Sequence, residues 1–161
     1  MKNRQYLLFL LLICVIFGSA CAREVDPARY RAEGFCAELV GCLQGVDFGA
    51  RVTGDALGGT IEFVTPISLS GVRVEWREEH CRVTRNGVTF ALSPEAVSGW
   101  LAPLRLLLLE ETPKTVCCEG EETILTFPSG GELTLSEEGV PLGGTGEGFS
   151  FTVCRWVSNG G

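Results

Sequence analysis

The hydrophobic and polar positions change period several times along the chain. Tyr6 to Phe17 is an unbroken apolar run, preceded by Lys2 and Arg4 and followed by the small residues Gly18, Ser19 and Ala20. This layout predicts a secretory leader, because a membrane span needs about 20 apolar residues and the charge-free stretch Gln5 to Ala22 falls slightly short. After a short polar segment, Phe35, Leu39 and Leu43 recur at helical spacing, which predicts a helix over Tyr30 to Leu43 ended by Gly45. From Asp47 the period becomes two. Phe48, Ala50 and Val52 alternate with polar or small residues, a Gly58-Gly59 turn follows, and Ile61, Phe63 and Thr65 form the next strand, ended by Pro66. Val72, Val74 and Trp76 predict a strand, "REEH" a turn, and Cys81 and Val83 another strand. Asn86-Gly87 is a strong hairpin signal, because both positions tolerate the positive φ of a type I′ turn, and Val88, Phe90 and Leu92 complete it.

"LSPEAVSGWLAPLRLLLLEET" returns to helix. Ser93 suits a cap, Pro94 the first helical position, and Glu95 the helix dipole. Pro103 is expected to split the segment, leaving a second helix from Pro103 to Glu110 that is apolar nearly all round and hence buried on more than one side. Strands are expected again at Val116 to Glu119, Thr123 to Phe127, Glu132 to Ser136 and Phe149 to Val157. "GGTGEG", Gly143 to Gly148, reads as a mobile hairpin loop; a phosphate cradle would need a helix after it, and a strand follows instead. Many short strands in hairpin order predict an α+β chain built on an antiparallel sheet.

Composition narrows the function. The 161 residues suffice for one domain, expected over residues 30–161 after a leader (1–20) and a short tether (21–29). Removing Lys2 and Arg4 with the leader takes the formal net charge from −7 to −9 and leaves Lys114 as the single lysine. An acidic chain with no basic run is a poor partner for nucleic acid or an anionic surface, because phosphate contacts need clustered Lys and Arg.

The sequence offers little catalytic chemistry. His80 is the only histidine and falls in an expected turn beside Glu78 and Glu79, where neighbouring ligands would point to opposite faces of a strand. No G-x-S-x-G or C-x-x-C motif is present. Glu110-Glu111, Glu121-Glu122 and Glu137-Glu138 flank turns or helix ends, where charge pairs face water. No enzyme activity, metal or cofactor is therefore expected.

Cys36, Cys42, Cys81, Cys117, Cys118 and Cys154 follow the leader, and in an exported chain these six thiols allow 15 disulfide connectivities. They serve equally as small buried apolar residues. On the expected helix Cys36 and Cys42 do not share a stripe. Of Cys117 and Cys118, one is expected to face inward as a buried thiol and the other to pair elsewhere, with Cys154 or Cys81.

The remaining signal is an apolar interior of Phe63, Trp76, Phe90, Trp100, Leu104, Leu106 to Leu109, Phe127, Phe149, Phe151 and Trp156. Such a set builds an ordinary core or lines an apolar cavity.

The run "VTPISLSGVRVEWREEHCRVTRNGVTFALSP" resembles the LolA/LolB-type lipoprotein-carrier superfamily, and "FGARVTGDALGGTIEF" and "EEGVPLGG" with its following strand are similar to it as well. The resemblance spans roughly residues 47 to 157. It implies a strongly curved antiparallel sheet, a half-open barrel, with helices on its concave side and lipid acyl chains held between them. The chain is shorter than the soluble carriers, so strands are expected to be missing and the cavity to be small. Of the apolar set, Phe63, Trp76, Phe90, Trp100, Leu104 and Leu108 are the expected ligand contacts.

Gly18-Ser19-Ala20-Cys21 resembles the lipobox cut by signal peptidase II, although soluble carriers lack such a cysteine. Ala20-Cys21-Ala22 also fits ordinary secretion with cleavage before Arg23. The abrupt change from apolar to polar at Cys21 favours lipid attachment there. The expected protein is thus an extracytoplasmic, lipid-anchored, non-catalytic domain at the cell membrane that binds a lipid or other apolar ligand. Its alternative is a structural or interaction module of the envelope with a solid core and a protein partner.

Overall fold

The structure is a computed structural model that describes residues 26, 29–77 and 80–159. The expected leader, Cys21 and the Glu78-Glu79 turn lie outside the described residues. Among the described residues, eleven antiparallel strands form one open sheet in the order β6-β5-β4-β3-β2-β1-β11-β10-β9-β8-β7. The strands are β1 (Phe35–Leu43), β2 (Val46–Asp55), β3 (Gly58–Thr65), β4 (Arg73–Arg77), β5 (His80–Arg85), β6 (Val88–Leu92), β7 (Thr115–Glu119), β8 (Glu122–Thr126), β9 (Glu132–Leu135), β10 (Pro141–Gly146) and β11 (Phe149–Ser158). Two meanders, β1–β6 and β7–β11, join where the first strand pairs the last, Ala37 opposite Trp156 and Leu43 opposite Phe149. Helix α1 (Arg29–Glu33) precedes β1, and a 3-10 turn (Pro94–Val97) followed by helix α2 (Ser98–Leu107) links the two edge strands β6 and β7.

Four expectations change. The helix expected over Tyr30 to Leu43 is a single turn, α1, followed by strand β1. Gly34 separates them at φ 75°, a left-handed position suited to a helix end. A spacing of four, as in Phe35, Leu39 and Leu43, satisfies a two-residue period as well as a helical one, and buried Ala37 completes the alternation. Gln44 and Gly45, both at positive φ, then make a two-residue hairpin turn to β2 rather than a helix end. Gly58-Gly59 begins β3, and the turn lies two residues earlier, at Ala56-Leu57. "GGTGEG" supplies strand β10 instead of a loop. A side chain on Gly144 would meet Leu106 of α2 and the Phe151 ring, so the glycine lets the helix and a neighbouring ring lie directly on the strand.

The fourth concerns Pro103, which sits inside α2 without splitting it. The break falls earlier, at Val97 (φ −121°, ψ 8°), between the 3-10 turn and the helix. The helix also ends before Glu110. Leu109 takes φ 50°, and the backbone N–H groups of Leu109 and Glu110 donate to the carbonyls of Leu106 and Arg105. This is the Schellman arrangement, held here by a leucine where glycine is usual.

Asn86 (φ 50°) and Gly87 (φ 79°) form the expected β5–β6 turn. Leu104, Leu107 and Leu108 are sealed from solvent, in keeping with the all-round apolar character of the segment. Leu104 lies against Gly59 on β3, while Leu106, two residues away, lies against Gly144 on β10. Along the sheet β3 and β10 are four strand spacings apart, about 19 Å. Side chains two residues apart on one helix reach both only because the sheet bends around α2. The face it bends over is the inner face.

Candidate ligand site on the inner face

Helix α2 presents two unlike stripes. Trp100, Leu104 and Leu108, with Leu101 beside them, face the β1–β6 half, where Leu104 meets Gly59, Leu108 meets Gly54 and the Trp100 ring stands edge-on to Phe63 at 5.6 Å. Ser98, Ala102 and Leu106 recur one turn apart on the other stripe and face the β8–β11 half, and Arg105 beside them lines the same space while its guanidinium reaches over Trp76 of β4. Serine and alanine fill less space than leucine. Between this stripe and Phe127, Gly131, Gly146 and Phe149 a cavity of about 240 Å³ remains, open on one side.

The rim of the cavity is polar. The Schellman end of α2 turns Glu110 back toward its own helix, and Arg105 Nε donates to Glu110 Oε2 at 2.6 Å. The same guanidinium lies 5.8 Å from the Trp76 ring centroid. The Ser129 backbone N–H donates to Glu111 Oε2 at 3.2 Å, which ties the rim to the β8–β9 turn. Glu147 completes it. An apolar floor of Ala102, Leu106, Phe127 and Phe149 under one cation and three carboxylates suits an amphipathic ligand, apolar part inward.

A broader open groove of about 530 Å³ lies at α1, with Tyr30 and Trp156 beside Arg29, Glu33, Glu137 and Glu138. It is larger, but no residue of α2 lines it, so we place the candidate site at the smaller cavity. Here Tyr30 is structural: its hydroxyl donates to the Leu107 carbonyl at 2.7 Å, and burial pushes the phenol well above its usual pKa. The Arg29 side chain, and then the Ser158 hydroxyl, donate to Glu33 and hold its carboxyl below the usual range.

The six expected ligand contacts do not converge. Phe63, Leu104 and Leu108 are buried core, and Trp76 is half-buried under Arg105. Trp100 and Phe90 are open to solvent. None of the six lines the cavity. Leu106, Phe127 and Phe149, named in the wider apolar set, do line it; Ser98, Ala102 and Arg105 were missed. The signal for Ser98 and Ala102 was a pair of small residues one turn apart on one side of an otherwise bulky helix, and for Arg105 its place as the single charged residue of that helix.

All six described cysteines are free thiols. Cys36 and Cys42 share the outer face of strand β1, six residues and about 20 Å apart, so the helical premise for them falls away. Cys81 faces inward, and burial raises its thiol pKa. Cys117 and Cys118 are both exposed, so neither is the buried member of a pair. Cys154 lies four strand spacings from them along the sheet, beyond the reach of a disulfide without rearrangement. His80 opens β5 and is exposed.

No protein-family model matches the chain, and no curated protein matches it. Solved structures do. The chain is similar to an uncharacterized conserved protein from Thermus thermophilus at 16% identity and TM-score 0.52, covering 85% of this chain and 86% of the other. It is also similar to a putative outer membrane lipoprotein-sorting protein domain from Vibrio parahaemolyticus, at 10% identity and TM-score 0.47, over 85% of this chain and 92% of that one. A LolA superfamily protein from Nitrosomonas europaea matches at 10% identity and TM-score 0.37, over 74% and 68% of the two chains. Of these, the Thermus protein shares the fold.

Proposed function

We propose that this chain is an extracytoplasmic, non-catalytic binding domain that holds a lipid or other amphipathic ligand in a half-open barrel, with α2 packed in its concavity. The observation that carries this reading is the cavity of about 240 Å³ between α2 and the β8–β11 strands. It is slightly smaller than the roughly 300–1,000 Å³ of ordinary ligand pockets, and its open side lets part of a longer ligand extend outward. The apolar floor would take a segment of acyl chain, and Arg105 with the rim carboxylates would meet the head group. No helix of the described residues is long and apolar enough to cross a membrane. We assign attachment to a lipid on Cys21, on the strength of the lipobox-like Gly18-Ser19-Ala20-Cys21 and the abrupt apolar-to-polar change there.

Titration with a fluorescent fatty acid tests the pocket. Saturable enhancement is expected, with loss on Ala102→Leu, which fills the floor. No saturable binding by the unsubstituted protein would sink the reading. Metabolic labelling with a palmitate analogue tests the anchor separately; label that survives Cys21→Ser would remove it. A second reading, a structural or interaction module, draws support from the tight packing of Leu101, Leu104 and Leu107 on the β1–β6 side, each at 0% exposure. Absence of fatty-acid binding together with a stoichiometric envelope partner in a pull-down would favour it.

A further inference from the structure

Strand β7 ends the sheet. Among the described residues it pairs only with β8, so one whole side of its backbone lacks a strand partner. All five of its residues, Thr115-Val116-Cys117-Cys118-Glu119, are exposed, Val116 at 61%. Exposed edges of this kind are usually shielded by a central charge or a proline. Here the middle of the strand is valine and two cysteines. The charge sits at the ends: Lys114 before the strand, and Glu119, Glu121 and Glu122 at its far end.

We infer that β7 is a self-association edge, at which a second copy of this chain adds antiparallel and is locked by a Cys117–Cys117 disulfide between copies. Polarity selects the direction. A parallel copy would set Glu119 beside Glu119, whereas an antiparallel copy brings each Lys114 to the acidic end of its partner strand. Symmetry selects the register. A two-fold axis normal to the sheet keeps the inner face of both copies on one side and sets one residue opposite itself. Only a self-opposed Cys117, the centre of the five-residue strand, pairs all of β7. Directly opposed residues in an antiparallel pair have Cα atoms about 4.5–5.5 Å apart, inside the 4.4–6.8 Å range of disulfides. Cys117 shares the outer face with Ile124, away from the inner-face cavity, while Cys118 lies beside Thr123 on the inner side. The other edge strand, β6, carries no cysteine.

The bond forms by two exchanges. A Cys117 thiolate attacks a disulfide-bearing oxidant, such as glutathione disulfide or an oxidised dithiol oxidoreductase, and releases one thiolate. The Cys117 thiolate of the second copy then displaces the other, so two protein thiols are oxidised and one oxidant disulfide is reduced.

Non-reducing electrophoresis of the full chain incubated with glutathione disulfide tests this. A covalent dimer with a Cys117–Cys117 peptide in its mass map is expected, abolished by Cys117→Ser and kept by Cys118→Ser. Charge supplies a second reading: Lys114→Glu should slow dimer formation about two- to tenfold, and Lys114→Glu with Glu119→Lys should restore it. Persistence of the covalent dimer in Cys117→Ser, or oxidation of the unsubstituted chain only to a disulfide within one copy, would overturn the proposal. Fatty-acid binding plays no part in this readout.

Discussion

Helix α2 meets the two halves of the sheet differently. Toward β1–β6 it turns Trp100, Leu101, Leu104 and Leu108, and the sheet answers with Gly54 and Gly59, which yield space for them. Toward β8–β11 it turns Ser98 and Ala102, with Leu106 alone reaching down to Gly144. Both halves use glycine under the helix. In the first, large side chains occupy the space the glycines leave; in the second, small ones leave about 240 Å³ open. The first half is thereby fitted to hold the helix and the second to admit something else.

The largest effect is expected where packing is closest. Leu104→Ala removes a side chain at 0% exposure and should lower stability by about 2–5 kcal/mol, read from the shift of a urea unfolding midpoint. A loss below about 1 kcal/mol would mean that this half is as loosely filled as the other. Gly54→Ala probes the same contact from the sheet side. Its new methyl would meet the Phe35 ring at 2.5–2.6 Å and Leu108 Cδ2 at 2.9 Å, so a loss of about 1–3 kcal/mol from overpacking is expected.

Ala102→Leu should do the reverse on the other side. Added carbon enters existing space, and a gain of about 0.5–2 kcal/mol is expected in the same assay, together with loss of fatty-acid binding. A destabilisation matching that of Gly54→Ala would show that the cavity is not free to accept it, and the contrast between the halves would fail.

This contrast explains which parts were legible in the sequence. Asn86-Gly87 and the alternation through Phe48, Ile61 and Val74 gave β2 to β6 directly, because side chains there mark one face. Strand β1 was hidden by leucines and a phenylalanine spaced four apart, a pattern shared by helix and strand. Strand β10 was hidden because glycine marks no face at all. The cavity was hidden for a related reason: it is made by what Ala102, Gly131 and Gly146 lack, whereas the sequence pattern draws the eye to large apolar residues. Those residues are mostly where the molecule is full.

The smallest effect is expected at the rim of the β1–β6 half. Directly opposed residues make one inner-face row: Ala37, Val52, Ile61, Val74, Val83 and Phe90. Exposure is 1%, 0%, 0% and 1% at the first four and 56% at Phe90. The row remains apolar after the cover has ended. Phe90→Ser should therefore change stability by no more than about 0.5 kcal/mol, whereas a polar residue at Val74 would bury an unpaired hydroxyl. It should also leave fatty-acid affinity unchanged, since Phe90 does not line the cavity. A clear drop in affinity would move the ligand from the cavity to the open edge, where Phe90 and Leu92 project on the same side of β6. The packed half, rather than the cavity half, would then be the one that serves the ligand.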